Sequence, residues 1–174
     1  PPGAKRGGSF IIGDPATTAA LLLVEGYATG ASLHEATNLP AVVAFDAGKL
    51  QPVAEGLRRQ YPAATIVVCG DHDASGTGQK AAHAAAAAVN GFLVIPHAKD
   101  DENLDWNDVH VRDGLEAVKA AIEKALEDAE LRRLAAATPT VEEGALPAGQ
   151  TREDRGLTKI LADEILKHDY FAVD

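Results

Sequence analysis

Four short apolar runs, separated by segments of helical character, constrain the fold of this chain more than any other feature. They are Ala19–Val24, Ala41–Phe45, Thr65–Cys69 and Phe92–Ile95. Each has the length and the Leu, Val and Ile content of a buried strand. Between them lie a helical stretch reaching about Thr37 and a second one in which Val53, Leu57 and Tyr61 recur at helical spacing. Pro52 suits the first turn of that helix and Pro62 ends it. A third, the alanine-dense segment Gln79–Val89, has high helix propensity and a stop at Gly91. Strands and helices alternating at these lengths predict an α/β fold: an open, parallel, four-stranded sheet with helices on both faces. Right-handed crossovers then put every strand C-terminus on one edge, where such sheets hold their ligands.

Beyond the fourth run, Lys99–Asp108 reads as an acidic loop. A closing helix spans about Gly114 to Leu134, with Leu115, Val118, Ile122, Leu126 and Ala129 on one stripe. Residues 135–156, with Pro139, Gly144, Pro147 and Gly149, have linker composition. Residues 157–174 carry Leu157, Ile160, Leu161, Ile165 and Leu166 at helical spacing, too little for a domain, and read as the start of a following helical one. Residues 1–16 read as a disordered or partial N-terminal segment, leaving 17–134 as the folded domain. The start at Pro1-Pro2-Gly3 and the absence of Met mark the chain as a module of something larger.

Charge and cysteine content exclude several functions. A net charge of -10 and a pI near 5.0 leave no broad basic footprint for phosphate backbones, so nucleic-acid contact must be local or carried by metal ions. The single cysteine, Cys69, rules out a disulfide framework and a multi-cysteine zinc site, and is consistent with a reducing cytoplasm. No run of 18 apolar residues exists, so no membrane span is expected.

The chemistry lies in the acids at the strand ends. Glu25 follows the first run, and Asp71 and Asp73 follow the third. In extended chain, residues two apart point the same way, so Asp71 and Asp73 are expected to form a claw. Two carboxylates about 4 Å apart repel by roughly 4 kcal/mol at an effective dielectric near 20, a cost that a hard divalent cation removes. Magnesium takes such oxygen ligands together with substrate phosphates, which points to phosphoryl transfer. The competing role for Asp73 is to cap the helix that starts near Ser75. His72, between the two acids, should point the other way, in a structural or solvent-facing role. Asp46 is expected in a turn and Trp106 in packing, while Asn107 could orient a metal-bound water or cap the next turn. Gly76-Thr77-Gly78-Gln79-Lys80 lacks Walker A spacing, although a glycine there can let backbone approach a phosphate at a helix N-terminus. Lys80 and Lys99 are candidates for nucleotide phosphates.

Leu21-Leu22-Leu23-Val24-Glu25-Gly26-Tyr27, followed by Ile66-Val67-Val68-Cys69-Gly70-Asp71-His72-Asp73-Ala74-Ser75-Gly76, resembles the Toprim domain of bacterial-type primases, topoisomerases and some nucleases. The resemblance covers residues 17–120 and implies a Rossmann-like Toprim fold. By it, Glu25 is the acid/base or a metal ligand, Asp71 and Asp73 are the metal pair for Mg2+ or Mn2+, and Gly26 and Gly76 are turn glycines at the nucleotide. Glu25-Gly26-Tyr27 is similar to the opening of primase members, and Ala74-Ser75-Gly76 lacks the glutamate of topoisomerases. Lys99-Asp100-Asp101 with Asp105-Trp106-Asn107-Asp108 resembles a segment of primases from plasmids, phages and integrative elements. This adds Asp101 and Asp105 to the metal ligands and Lys99 to the nucleotide contacts. Thr29 stands where cellular primases often carry a further Asp. The resemblance implies primer synthesis from nucleoside triphosphates on a single-stranded DNA template, for replication of a mobile element. A helicase domain in the same chain, or a replicative helicase, would be the partner. Toprim-type phosphodiester cleavage is the alternative, although Tyr27, Tyr61 and Tyr170 are poorly placed as topoisomerase nucleophiles. A non-catalytic receiver-like module is a second, against which stands the single Glu25 where receivers carry an acidic pair.

Overall fold

The computed structural model describes residues 8–16, 18–98 and 102–137. The elements are β1 (Phe10–Ile12), β2 (Ala20–Val24), α1 (Tyr27–Thr37), β3 (Ala41–Val43), a 3-10 turn (Ala47–Lys49), α2 (Leu50–Gln60), β4 (Thr65–Cys69), α3 (Thr77–Ala88), β5 (Phe92–Val94), α4 (Trp106–Asp113) and α5 (Leu115–Ala137). They form a single sheet in the order β1-β3-β2-β4-β5. The four strands expected from the sequence pair in parallel, as anticipated. The strand count is corrected from four to five by β1, which adds antiparallel to β3 at the edge, with Phe10 opposite Val43. Three residues are too few to show a period, and β1 exists because β3 offers it an open edge.

β2 lies at the centre and is buried along its whole length. On one face Leu21, Leu23, Val42, Ile66 and Val68 pack with Ala54 and Leu57 of α2 and Ala82, Ala85 and Ala86 of α3. On the other, Leu22, Val24, Val43, Val67 and Cys69 pack with Leu33 of α1, Val109 of α4, and Val118 and Ile122 of α5. The alanines of α3 let that helix lie close to the sheet. At Gly70 the approach is closest: a Cβ there would stand 2.7 Å from that of Ala82. Gly70→Ala should therefore push α3 from the end of β4 and cost about 1–2 kcal/mol, read as a lower urea midpoint at unchanged slope.

Several element ends are shifted from those expected, those of β3, α4 and α5 among them. β3 stops at Val43, short of the apolar run, because Phe45 adopts a left-handed φ of 64°. The acidic loop gives way at Trp106 to α4, whose start is closed by a reciprocal cap in which Asp105 and Asp108 each accept from the other's backbone N–H. Finally, α5 runs three residues past 134, to Ala137. The sheet and its helices belong to one unit ending at Leu126, and α5 from Glu127 to a second. The expected linker beyond 137, the start of a following domain, and residues 1–7 lie outside the described residues. Among the described residues no helix is long and apolar enough to cross a membrane.

Candidate active site

β2 and β4 pair with Val24 opposite Cys69. Glu25, one residue past β2, and Asp71, two past β4, therefore emerge from adjacent central strands at the same carboxyl edge. The acidic segment is drawn to this edge by a bridge between His72 and Leu104, whose N–H groups donate to each other's carbonyls at 2.9 and 2.8 Å. His72 Nδ1 adds a donation to the Glu102 carbonyl at 2.8 Å, and Asn103 Oδ1 accepts from Ala74 N–H at 3.0 Å. His72 thus has the structural role expected of it, and its bridge carries Asp105 towards Asp71.

Asp71 is the electrostatic centre. Its Oδ1 is buried without a hydrogen-bond partner. Burial, then the charges of Asp105, Glu25, Asp108 and Asp73 in that order, push its carboxyl from the ordinary 3.8 up to about 7. Asp108 was not singled out by its chemistry. The signal available was its spacing, three residues after Asp105, which is that of a capping pair. Burial and then the Asp71 charge push the Cys69 thiol up, so it stays protonated and is no nucleophile.

The expected claw of Asp71 and Asp73 does not form. Asp73 turns to the start of α3: Oδ1 accepts from Ser75 Oγ and from Thr77 N–H at 3.2 Å, and Oδ2 accepts from Gly78 N–H at 2.6 Å. These bonds hold its carboxyl below the usual range. The capping role weighed against metal binding is therefore the one seen, and Thr77 and Gly78 N–H are not open to a phosphate. A Cβ at Gly78 would meet Asp73 Oδ2 at 2.8 Å, so glycine there admits the carboxylate. Gly76, with φ 71°, makes the left-handed turn into α3. Gly26 precedes α1 with an ordinary φ of -95°. Lys80 is exposed on α3. Lys99 and Asp101 lie outside the described residues.

Asp46 keeps to its turn, accepting from Gly48 N–H at 2.8 Å, and Trp106 is core. Asn107 does not cap a turn: its Oδ1 accepts from Ser32 Oγ at 3.1 Å, joining α4 to α1. Thr29 is buried, and the first turn of α1 carries no acid to bring to the edge.

Among the described residues no three His, Cys, Asp or Glu side chains are gathered closely enough to hold an ion as they stand. The donor chemistry nevertheless fits a hard divalent cation: oxygen ligands only, a buried unpartnered Asp71 oxygen, and carboxylates that repel it from several directions. Glu25, Asp71 and Asp105 are the residues able to close on one. Without a cation, the raised Asp71 pKa means that the folded state holds a proton which the unfolded chain has lost. This contribution to stability is complete below about pH 3.8 and disappears as the pH rises through about 7. In a chelator, Asp71→Asn should therefore equal wild type in stability near pH 4. By pH 8 it should exceed it by about 1–2 kcal/mol after allowance for solvent screening, measured by thermal unfolding across that range.

Residues 20–116 match the Toprim domain family, whose members generally bind divalent metal ions. Over 95 residues, 51% of this chain, the sequence is 37% identical to a DNA primase TraC of Escherichia coli and 39% identical to another DNA primase TraC of the same organism. The shared stretch is 7% and 9% of those proteins, so the chain spans less than a tenth of their length. No solved structure matches it significantly. With more than half of its residues matched, and Glu25 and Asp71 leaving neighbouring parallel strands at one sheet edge, the chain belongs to the Toprim family.

Proposed function

We propose that this chain is the catalytic core of a primase-type nucleotidyltransferase, extending primers from nucleoside triphosphates on single-stranded DNA in the replication of a mobile element. The observation that carries this reading is the buried, unpartnered Oδ1 of Asp71 amid the Glu25 and Asp105 carboxylates at the carboxyl edge. Similarity to the DNA primases named TraC supports it. Glu25, Asp71 and Asp105 hold magnesium or manganese, with Asp101 and Asp73 contributing from the edges of the site. When bound, the cation neutralises the triphosphate and favours in-line displacement. Glu25 would accept the proton of the 3′-hydroxyl as its oxygen bonds the α-phosphorus of the nucleoside triphosphate and pyrophosphate leaves. Lys80 and Lys99 contact the phosphates, and Gly26 and Gly76 keep the flanking turns free of side chains beside the nucleotide. A helicase, within the same protein or separate, supplies the single strand.

The test uses a primed single-stranded template with labelled ribonucleoside triphosphates and magnesium or manganese. Extended products that need the cation and vanish with Asp71→Asn are expected. Nicking of the template without nucleotides would favour phosphodiester cleavage, and absence of cation binding by titration calorimetry would overturn both.

A further inference from the structure

The chain is poor in aromatic residues, with 4 Phe, 3 Tyr and 1 Trp. Among the described residues the exposed ones are Phe10, Tyr27 and Phe45, at 49%, 56% and 55%, and all three lie at the sheet edge that carries Glu25. Tyr27 opens α1 two residues after Glu25. Phe10 opens β1 opposite Val43, the last residue of β3, which puts it at the carboxyl edge of the parallel strands. Its ring centroid lies 5.9 Å from that of Tyr27, with the planes tilted by 50°. Phe45 follows β3, and its N–H donates to the Glu25 carbonyl at 2.9 Å.

Phe45 carries a second, independent signal. Besides two asparagines, Asn38 and Asn90, it is the non-glycine residue with positive φ among the described residues, at 64°. Asparagine tolerates that region, whereas a bulky ring is strained in it. A strained backbone that leaves a large apolar ring in water gains no burial for that ring, and such strain collects at sites that bind.

We infer that Phe10, Tyr27 and Phe45 form a stacking platform for the unpaired bases of single-stranded nucleic acid, next to the carboxylate site. The inference rests on the nucleotidyl-transfer reading for its choice of ligand. A net charge of -10 offers phosphates little attraction, so a strand held at this edge would be held chiefly through its bases, by stacking. Every base presents a π-face, so the platform would accept a template of any sequence while the neighbouring carboxylates address phosphates through the cation.

The test is anisotropy titration of the full chain, in chelator, with fluorescein-labelled oligothymidine and with an abasic oligonucleotide of equal length and charge. Oligothymidine should bind at least about tenfold more tightly than the abasic strand, with a shallow salt slope. Tyr27→Leu and Phe45→Asn should each weaken oligothymidine binding about tenfold without changing abasic binding. Phe45→Asn should also raise the melting temperature by about 3 °C, because strain is relieved, whereas loss of a structural ring would lower it. Equal affinity for the two strands, or variants that bind oligothymidine like wild type, would overturn the platform. So would self-association that disappears in the variants while no base preference exists, since the patch would then join two copies of the chain. Asp71→Asn should bind oligothymidine like wild type, so failure of the catalytic reading leaves these outcomes intact, and failure of the platform leaves catalysis intact.

Discussion

Asp71→Asn should lower cation-dependent nucleotidyl transfer by about a thousandfold, the scale expected when a preorganised charge at the reacting centre is lost, and should leave the protein better folded. Both effects have one origin. Asp71 is a carboxyl with one oxygen buried and unpartnered, facing the charges of Asp105, Glu25, Asp108 and Asp73. Once the pH rises through about 7, the protein therefore holds an unfavourable charge whenever no cation is bound. Asparagine keeps the shape and removes the charge, so that repulsion ends and a cation would lose a ligand proposed for it. Magnesium should raise the melting temperature of wild type, since a ligand that binds only the folded state stabilises it, and should leave that of Asp71→Asn unchanged. A variant that is inactive because it misfolds would show the opposite order of stabilities, so activity and melting temperature measured on the same sample separate the two explanations.

The parallel sheet was legible because its strands are buried on both faces and so appear as unbroken apolar runs, and Glu25 and Asp71 were legible because they follow two of those runs directly. What escaped did so for physical reasons. The three residues of β1 have no period of their own, and their pairing is decided by β3. α4 begins inside an acidic run whose composition suggests a loop, and only the mutual capping of Asp105 and Asp108, with Trp106 and Val109 turned into the core, makes it a helix. Phe45 has high strand propensity and stands at the end of an apolar run, so nothing local foretold its left-handed backbone or its exposure. The direction of Asp73 was ambiguous in principle: an acid a few residues before a helix has the same spacing whether it caps that helix or binds a metal beside it.

That ambiguity gives Asp73 the second large expected effect. Asp73→Ala should destabilise the protein by about 2 kcal/mol, the upper range for loss of a helix cap, because Gly78 N–H loses its acceptor and Thr77 N–H and Ser75 Oγ each lose one of two partners. Asp73→Asn keeps one oxygen able to accept from this turn and should recover at least about half of that loss. Transfer activity should not follow stability. The cap engages both oxygens of the Asp73 carboxylate, and its charge is what it could still offer a cation or the cation's water at the edge of the site. Asparagine cannot supply that charge, so both variants should lose about a hundredfold in transfer although one of them regains at least about half of the lost stability. Recovery of activity along with stability in Asp73→Asn would show that Asp73 serves the site only by starting α3 in the right place. Chemical denaturation and primer extension on the same three proteins decide between these outcomes.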